Sequence, residues 1–432
     1  MFKIIIKNLW ARRRRNGWLF AELIVVSVVT WVILDPVIVL THDRHLPLGY
    51  QDDHLFVLSL GALEPGALGY NKTAADSANL VDNYLQLIRR VKDYPDVEQA
   101  TPILGYCYPN SQGNSNSQFR AEGDTMDINC MIMHFVPHTH FFETFGMEGG
   151  KRMSAEKLSD YNYTNHDLVI TENLATGLFG SADIYAKRCY SANKTDTTYM
   201  PVIGTLKDIK AYSSWRPSPV VFQPQLTFNV QDIPQSALIA IRLKSSASIN
   251  RFSYEFRPWM TRNLRAGNLF VRSVKPYTKM IEDREFTEGV TGTYRMNMAL
   301  ALFFLMNLCL GVVGTFWLQT RVRREEVGII LSFGGTPGHI IRLLMGEGVV
   351  LTTLSTLIGC MLYLQYAIKE GLYEGNGWGT FQNKYWVSDF VPHFVGVSLI
   401  VYLILLVVVL IGIYIPARRI SRIAPTEALH DE

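Results

Sequence analysis

Four stretches of the chain are apolar for long enough to cross a bilayer, and the sequence between them alternates and turns. Residues 17–40 read GWLFAELIVVSVVTWVILDPVIVL, interrupted only by Glu22 and Asp35. Residues 294–318 hold the uncharged run MNMALALFFLMNLCLGVVGTFWL, residues 348–368 read GVVLTTLSTLIGCMLYLQYAI, and residues 394–415 read FVGVSLIVYLILLVVVLIGIYI. A hydrocarbon core takes about 20 mostly apolar residues in a helix, because no water is present there to satisfy backbone groups. Four membrane spans are therefore predicted. The first is too long for a cleaved signal peptide and no small-x-small site follows it, so it reads as a retained anchor.

Between the first two spans lie residues 41–293, enough chain for a folded domain or two. HLFVLSL (54–60) reads as a strand, SANLVDNYLQLIRRVKDY (77–94) as an amphipathic helix and VEQATPIL (97–104) as a strand. Leu80, Tyr84, Leu87 and Val91 recur at helical spacing and predict one buried face. Near the far end, ALIAIRLK (237–244) and NLFVRSVKPY (268–277) read as strands around a helix over 252–266. Two strand–helix–strand units at opposite ends of one loop predict a split βαβ, porter-like part. The stretch between them, about 140–232, carries short strands and turns such as HDLVITENLATGLFG and WRPSPVVFQPQ, and predicts an inserted β-rich subdomain. The expected fold is thus four membrane helices in a 1+3 arrangement with a large α+β domain.

The segment 319–347 is compact, charged and punctuated. Arg321, Arg323 and Arg324 follow the second span, where cations complement a helix C-terminus and set the interface depth. A helix with Val327, Ile330 and Leu331 on it then stops at Gly334-Gly335, since glycine takes a left-handed cap without a Cβ clash. Thr336 is a good N-cap and Pro337 suits the first helical position, so a second helix starts at once. Two helices and a tight turn read as a contact surface able to transmit force.

Lysine and arginine fix the orientation. The basic tail 1–16 carries Lys3, Lys7 and Arg12 to Arg15; the hairpin 319–347 and the tail 416–432, with Arg418, Arg419 and Arg422, share its side if the helices cross alternately. The short opposite loop 369–393 has only Lys369 and Lys384, so both termini and the hairpin are placed in the cytoplasm and residues 41–293 outside it. Composition adds exclusions. A net charge of +3 is too small to argue for nucleic acid, and five cysteines without CxxC spacing argue against a disulfide framework or zinc site. A bridge between Cys107 and Cys130 stays open beside the favoured reading of unpaired small hydrophobes. His134, His138 and His140 read as surface or packing residues rather than metal ligands, because Pro137 breaks their register. Glu22 and Asp35 read either as buried functional carboxylates or as residues near the span's ends where water reaches them; their positions favour the second.

Glu326-Val327-Gly328-Ile329, Phe333-Gly334-Gly335-Thr336 and then Glu347 ahead of an apolar run resemble the cytoplasmic segment of MacB/FtsX-type ABC transporter permeases. Pro416-Ala417-Arg418-Arg419 with Ile423-Ala424-Pro425-Thr426-Glu427-Ala428-Leu429 is similar to that family's ending. Leu178-Phe179-Gly180 and Val202-Ile203-Gly204-Thr205-Leu206-Lys207-Asp208 resemble pieces of MacB-like extracytoplasmic domains. Ala186-Lys187 stands where the family commonly has Gly-Lys, and Ile330 and Leu331 stand where members often carry basic or small residues.

The resemblance implies a multi-pass permease of the bacterial cytoplasmic (inner) membrane, working by mechanotransmission as a homo- or heterodimer. It implies a separate ABC ATPase docked on Arg324, Glu325, Glu326, Gly328, Gly334, Gly335, Thr336, Pro337 and Glu347, with Pro416, Pro425, Ala428 and Leu429 in the C-terminal motif. It further implies membrane lipid and a periplasmic adaptor or outer-membrane component as partners. The chain itself is expected to be no enzyme and to hold no cofactor. Its only Gly-Lys pair, Gly150-Lys151, lacks the rest of a phosphate-binding loop, so ATP and Mg belong to the partner. Export, efflux or release of a substrate in the envelope is the expected outcome. An FtsX-like regulator acting on a cell-envelope hydrolase or signalling partner, or a lipoprotein-releasing permease, stands as the alternative.

Overall fold

The computed structural model describes residues 13–105, 107–111, 113, 115–192, 198–322, 324–375 and 385–422. The chain divides into two compact units, one built on the four long helices and one on Asp43–Val290.

In the helical unit the spans are Gly17–His45, Val290–Thr315, Pro337–Glu370 and Phe390–Ile420, each long and apolar enough to cross a membrane. Their shared core joins Leu19, Leu23 and Trp31 of the first helix to Leu351 and Tyr363 of the third and to Val397, Leu405 and Ile413 of the fourth. Small residues set the approach of the helices. A Cβ on Gly359 would stand 1.8 Å from Ser27 Oγ, so the third helix meets the first almost backbone to backbone. Ser355 Oγ donates to the Phe20 carbonyl at 3.4 Å on the same side. In lipid there is no hydrophobic gain from bringing helices together, so close packing and such polar contacts hold the bundle. This accounts for the Thr and Ser residues of TTLSTL, where Thr352, Ser355 and Thr356 are buried.

The other unit carries the described strands. In chain order they are β1 (Leu55–Ala62), β2 (Val97–Ile103), β3 (Asn116–Ala121), β4 (Ile128–Phe135), β5 (Leu168–Thr171), β6 (Arg188–Ser191), β7 (Met200–Leu206), β8 (Val220–Pro224), β9 (Leu238–Leu243), β10 (Arg265–Ala266) and β11 (Leu269–Pro276). A five-stranded sheet runs β10-β11-β1-β9-β2, and β3-β4-β8-β5-β7-β6 close into a barrel. β1 and β2 both pair with β9, antiparallel, which splits the βαβ unit formed with the helix Ser77–Lys92.

Period-two alternation explains why β1 reads apolar at nearly every position. Phe56, Leu58 and Leu60 pack with Leu80, Tyr84 and Leu87 of that helix and with Phe252 and Phe256 of the helix Ile249–Asn263. Leu55 and Val57 face the opposite way, into a core with Phe135, Phe142, Phe145 and Phe222. A strand buried on both faces has no polar side to show. The barrel begins at Asn116, ahead of the boundary near 140 that composition suggests. β3 (NSQFRA) carries polar residues at most positions and does not stand out as a strand before its pairing with β4 and β6 is known.

The end of the first long helix belongs to this sheet-rich unit. Asp43 Oδ1 accepts from Arg216 Nε at 2.9 Å, both side chains almost fully buried, and Arg44 pairs with Glu285 at 2.7 Å. Lys210, fully buried, donates through Nζ to the carbonyls of Asp43 and Ser213. Loss of hydration lowers its pKa to about 8, against the opposing pull of Asp43 and Glu285.

Candidate functional site

The segment after the second span forms a hairpin. Its first helix, Arg324–Ser332, ends in a Schellman motif: Gly335 N donates to the Ile330 carbonyl at 2.9 Å and Gly334 N to Leu331 at 3.1 Å, with Gly334 at φ +86°. A Cβ on Gly335 would fall 2.7 Å from the Ile330 carbonyl oxygen, so that position has no room for a side chain. Thr336 then caps the next helix, its side chain accepting from His339 N at 3.3 Å, with Pro337 in the first turn.

That second helix does not stop at the membrane. Pro337–Glu370 is one unbroken helix of 34 residues, about 51 Å at 1.5 Å per residue, against a hydrocarbon thickness of about 30 Å. Its first turns and the third span are therefore one continuous helix.

The hairpin buries one side and leaves the other bare. Val327, Ile340 and Leu344 join the membrane-helix core, with Ile330 and Leu331 packed against it. That packing accounts for the apolar residues at positions 330 and 331. Gly328 and Glu347 are buried, whereas Glu326, Gly334, Thr336 and Pro337 are exposed and Gly335 is half-buried. Arg324 and Glu325 lie in the first helix. On its outward side Ile329 is 49% exposed and Phe333 is 88% exposed, one turn apart and beside Glu326.

Ile329 and Phe333 were not singled out from the sequence as contact residues. The signal was present: a nine-residue helix with apolar residues all round has more of them than one buried side can take. Pro416 is buried in the fourth helix, while Pro425, Ala428 and Leu429 lie outside the described residues.

A second constellation sits at the other end of the bundle, and here the reading of Asp35 needs correction. Asp35 is 2% exposed, its Oδ1 lies 2.6 Å from His393 Nε2, and its Oδ2 accepts from Tyr373 N at 3.2 Å. Trp31 stacks on Tyr363 at 4.0 Å and donates to Ser398 Oγ at 3.0 Å beside it. Asp35 is thus a buried, paired carboxylate, because a histidine from the fourth span reaches it and aromatic rings exclude water. Glu22 is half-buried, and a Cβ on Gly311 would stand 2.5 Å from its Oε1.

The head motifs prove to be joined. Asp208, at the end of the Val202–Asp208 stretch, accepts from Asn173 N at 2.8 Å at the start of the helix Glu172–Phe179. That helix ends at Gly180 with φ +71°, completing Leu178-Phe179-Gly180. A carboxylate at a helix N-terminus is favourable, and the two pieces brace each other. Among the described residues no group of His, Cys, Asp or Glu is arranged to hold a metal ion.

Residues 298–425 match the family model described as FtsX-like permease C-terminal. No curated protein matches the chain in sequence. Among solved structures, a domain of a putative permease protein from Porphyromonas gingivalis is 16% identical, covering 52% of this chain and 92% of its own, with a TM-score of 0.33. The periplasmic region of MacB from Actinobacillus actinomycetemcomitans is 10% identical, covering 55% and 94%, at 0.32. The extracellular domain of the noncanonic ABC-type transporter YknZ from Gram-positive bacteria is 13% identical, covering 50% and 100%, at 0.27. The matched stretch runs from the second span through the hairpin to the fourth, and over residues 298–425 the chain is similar to the FtsX-like permease C-terminal family.

Proposed function

We propose that this permease couples ATP hydrolysis by a separate ABC ATPase subunit to motion of its sheet-rich head, for export, efflux or release of a substrate in the cell envelope. The observation that carries the proposal is the hairpin: a rigid turn offering Ile329, Phe333 and Glu326 outward, continuous with a helix that also forms the third span. An isolated exposed phenylalanine is ordinary, but an apolar pair on a doubly capped hairpin suits the seat of a soluble partner. Arg12 to Arg15, Arg321, Arg323, Arg324, Arg418, Arg419 and Arg422 support a cytoplasmic side for that hairpin and both termini, where ATP is available. ATP and Mg are bound by the partner. A second permease subunit completes the assembly, since four helices are too few to enclose a conduit and force rather than passage is what they relay.

The test is ATP turnover by the reconstituted ATPase with and without the full chain in lipid. Phe333→Asp and Ile329→Asp are expected to abolish stimulation and co-purification while leaving the melting temperature within about 1 °C, as surface changes do. Normal stimulation in both variants would overturn the docking surface. Labelling that put the hairpin and the head on one side of the bilayer would overturn the relay itself.

A further inference from the structure

Most of the outer surface of the helical unit asks for nothing but lipid. Leu310 and Met306 of the second span are 72% and 52% exposed, and hydrocarbon satisfies such side chains whether or not a protein covers them. Two polar side chains beside them are different. Asn307 is exposed and stands midway between Arg295 and Arg321, the charged residues that bracket the apolar run of that helix, so its amide lies near the middle of the span. Its Nδ2 donates to the Phe303 carbonyl at 2.8 Å, which leaves a second N–H and the side-chain oxygen over. One turn further along, Gly311 faces Glu22 of the first span, and a Cβ there would stand 2.5 Å from Glu22 Oε1. The half-buried Glu22 carboxylate makes no hydrogen bond or ion pair among the described residues. An amide and a carboxylate with spare hydrogen-bonding capacity are costly inside a span and belong against protein rather than lipid.

We infer that the face formed by Glu22, Asn307, Gly311 and Gly314 packs against the same face of a second copy of this chain. The inference rests on the reading that a second permease subunit completes the assembly, and adds where the two subunits meet. Three features select a second copy as the occupant. The polar groups are self-complementary: about a two-fold axis along the membrane normal, the Asn307 amide of each copy donates to the Glu22 carboxylate of the other, so one interface satisfies all four groups. Position 314 carries no side chain, and a Cβ there would meet nothing within 4 Å, so the backbone of the second span is bare to a neighbouring helix. The second span is also the least covered by its own bundle, 17% buried against 50%, 44% and 22% for the other three.

The experiment is energy transfer between donor-labelled and acceptor-labelled full chains reconstituted together in phosphatidylcholine vesicles, with no ATPase present. The wild type is expected to self-associate. Asn307→Leu and Glu22→Leu should each weaken association at least tenfold, and Glu22→Gln, which keeps an acceptor for the Asn307 amide, should retain most of it. Leu403→Ala, at a 48% exposed position of the fourth span, should leave it unchanged. A gain of signal removes any dependence on how well the weakened variants fold: Gly314→Cys should cross-link to a second copy under copper phenanthroline above the level of the parent chain, and Leu403→Cys should not. Undiminished association of Asn307→Leu and Glu22→Leu overturns this surface. Cross-linking at position 403 with none at 314 also overturns it while leaving a pair of permeases standing, whereas wild-type chains that never associate overturn the pairing of identical subunits itself.

Discussion

Asp35 of the first span and His393 of the fourth are held 2.6 Å apart, Oδ1 to Nε2, with about 2–3% of either side chain exposed. Such a pair is weak evidence for stability, because desolvation of both groups offsets most of their attraction. Breaking it is another matter, since one polar group is then left buried alone. Asp35→Leu or His393→Phe alone is expected to cost about 3–5 kcal/mol, and the double variant to recover most of that loss. Thermal unfolding of the four proteins in one detergent reads the cycle. Additive losses in the double variant would show that the two residues do not act as a pair.

The hairpin glycines differ in what they need. Gly334 is left-handed with open space around it, so Gly334→Ala meets only the backbone cost, about 1 kcal/mol. Gly335→Ala drives a methyl group against the Ile330 carbonyl and opens the turn. ATP turnover should survive the first substitution and lose permease stimulation in the second, with little change in membrane insertion for either. Equal behaviour of the two would mean that the turn's geometry is not what the partner reads.

How much of this was legible in the sequence depends on the range of the interaction. The spans were plain, because lipid demands a run of apolar residues that nothing else in a chain explains. The hairpin turn was plain too, since Gly334, Gly335, Thr336 and Pro337 act within one turn of themselves. The Asp35–His393 pair was not, because its partners lie 358 residues apart and only folding brings them together. Nor was the start of the barrel: the polar strand β3 acquires its meaning from β4 and β6 on either side.

Lys210 makes a pH prediction with a definite sign. An ordinary lysine titrates near 10.4, whereas burial lowers Lys210 to about 8. Below that pH both folded and unfolded chains carry the proton, and the fold bears the cost of a buried charge. Between about 8 and 10 the unfolded chain binds more protons, so this residue's contribution to stability rises with pH. Buried thiols and tyrosines, held up by the same desolvation, act oppositely in alkali, so the readout is the difference between wild type and Lys210→Met. That difference should climb in favour of wild type from pH 8 to 10 and stay flat below 7. A flat line throughout would mean that Lys210 keeps an ordinary proton affinity.

Cys130 and Cys189 line the barrel interior with 2% and 0% exposure, and desolvation pushes both thiols up, Cys189 to about 12. Only the thiolate attacks an alkylating agent, and at pH 8 a thiol of that acidity is ionised in about one molecule in ten thousand. Iodoacetamide is expected to modify half-buried Cys107 first and to reach Cys130 and Cys189 only once denaturant is added. Mass spectrometry of tryptic peptides reads the order. Early labelling of Cys189 would place it outside the barrel core.

Ala186 occupies a glycine's conformation. Its φ is +53°, and its N–H donates to the Val202 carbonyl at 3.0 Å. A left-handed backbone costs an L-residue roughly 1–2 kcal/mol. Glycine removes that strain but loses more freedom on folding, about 0.5–1 kcal/mol. The balance favours Ala186→Gly by about 0.5–1 kcal/mol, since the hydrogen bond to Val202 uses backbone atoms only and survives the change. A rise in the melting temperature of the full chain checks it, with Ala186→Val as the control expected to fall. Were Ala186→Gly to destabilise, the alanine methyl group would have to be supplying packing that outweighs its backbone strain.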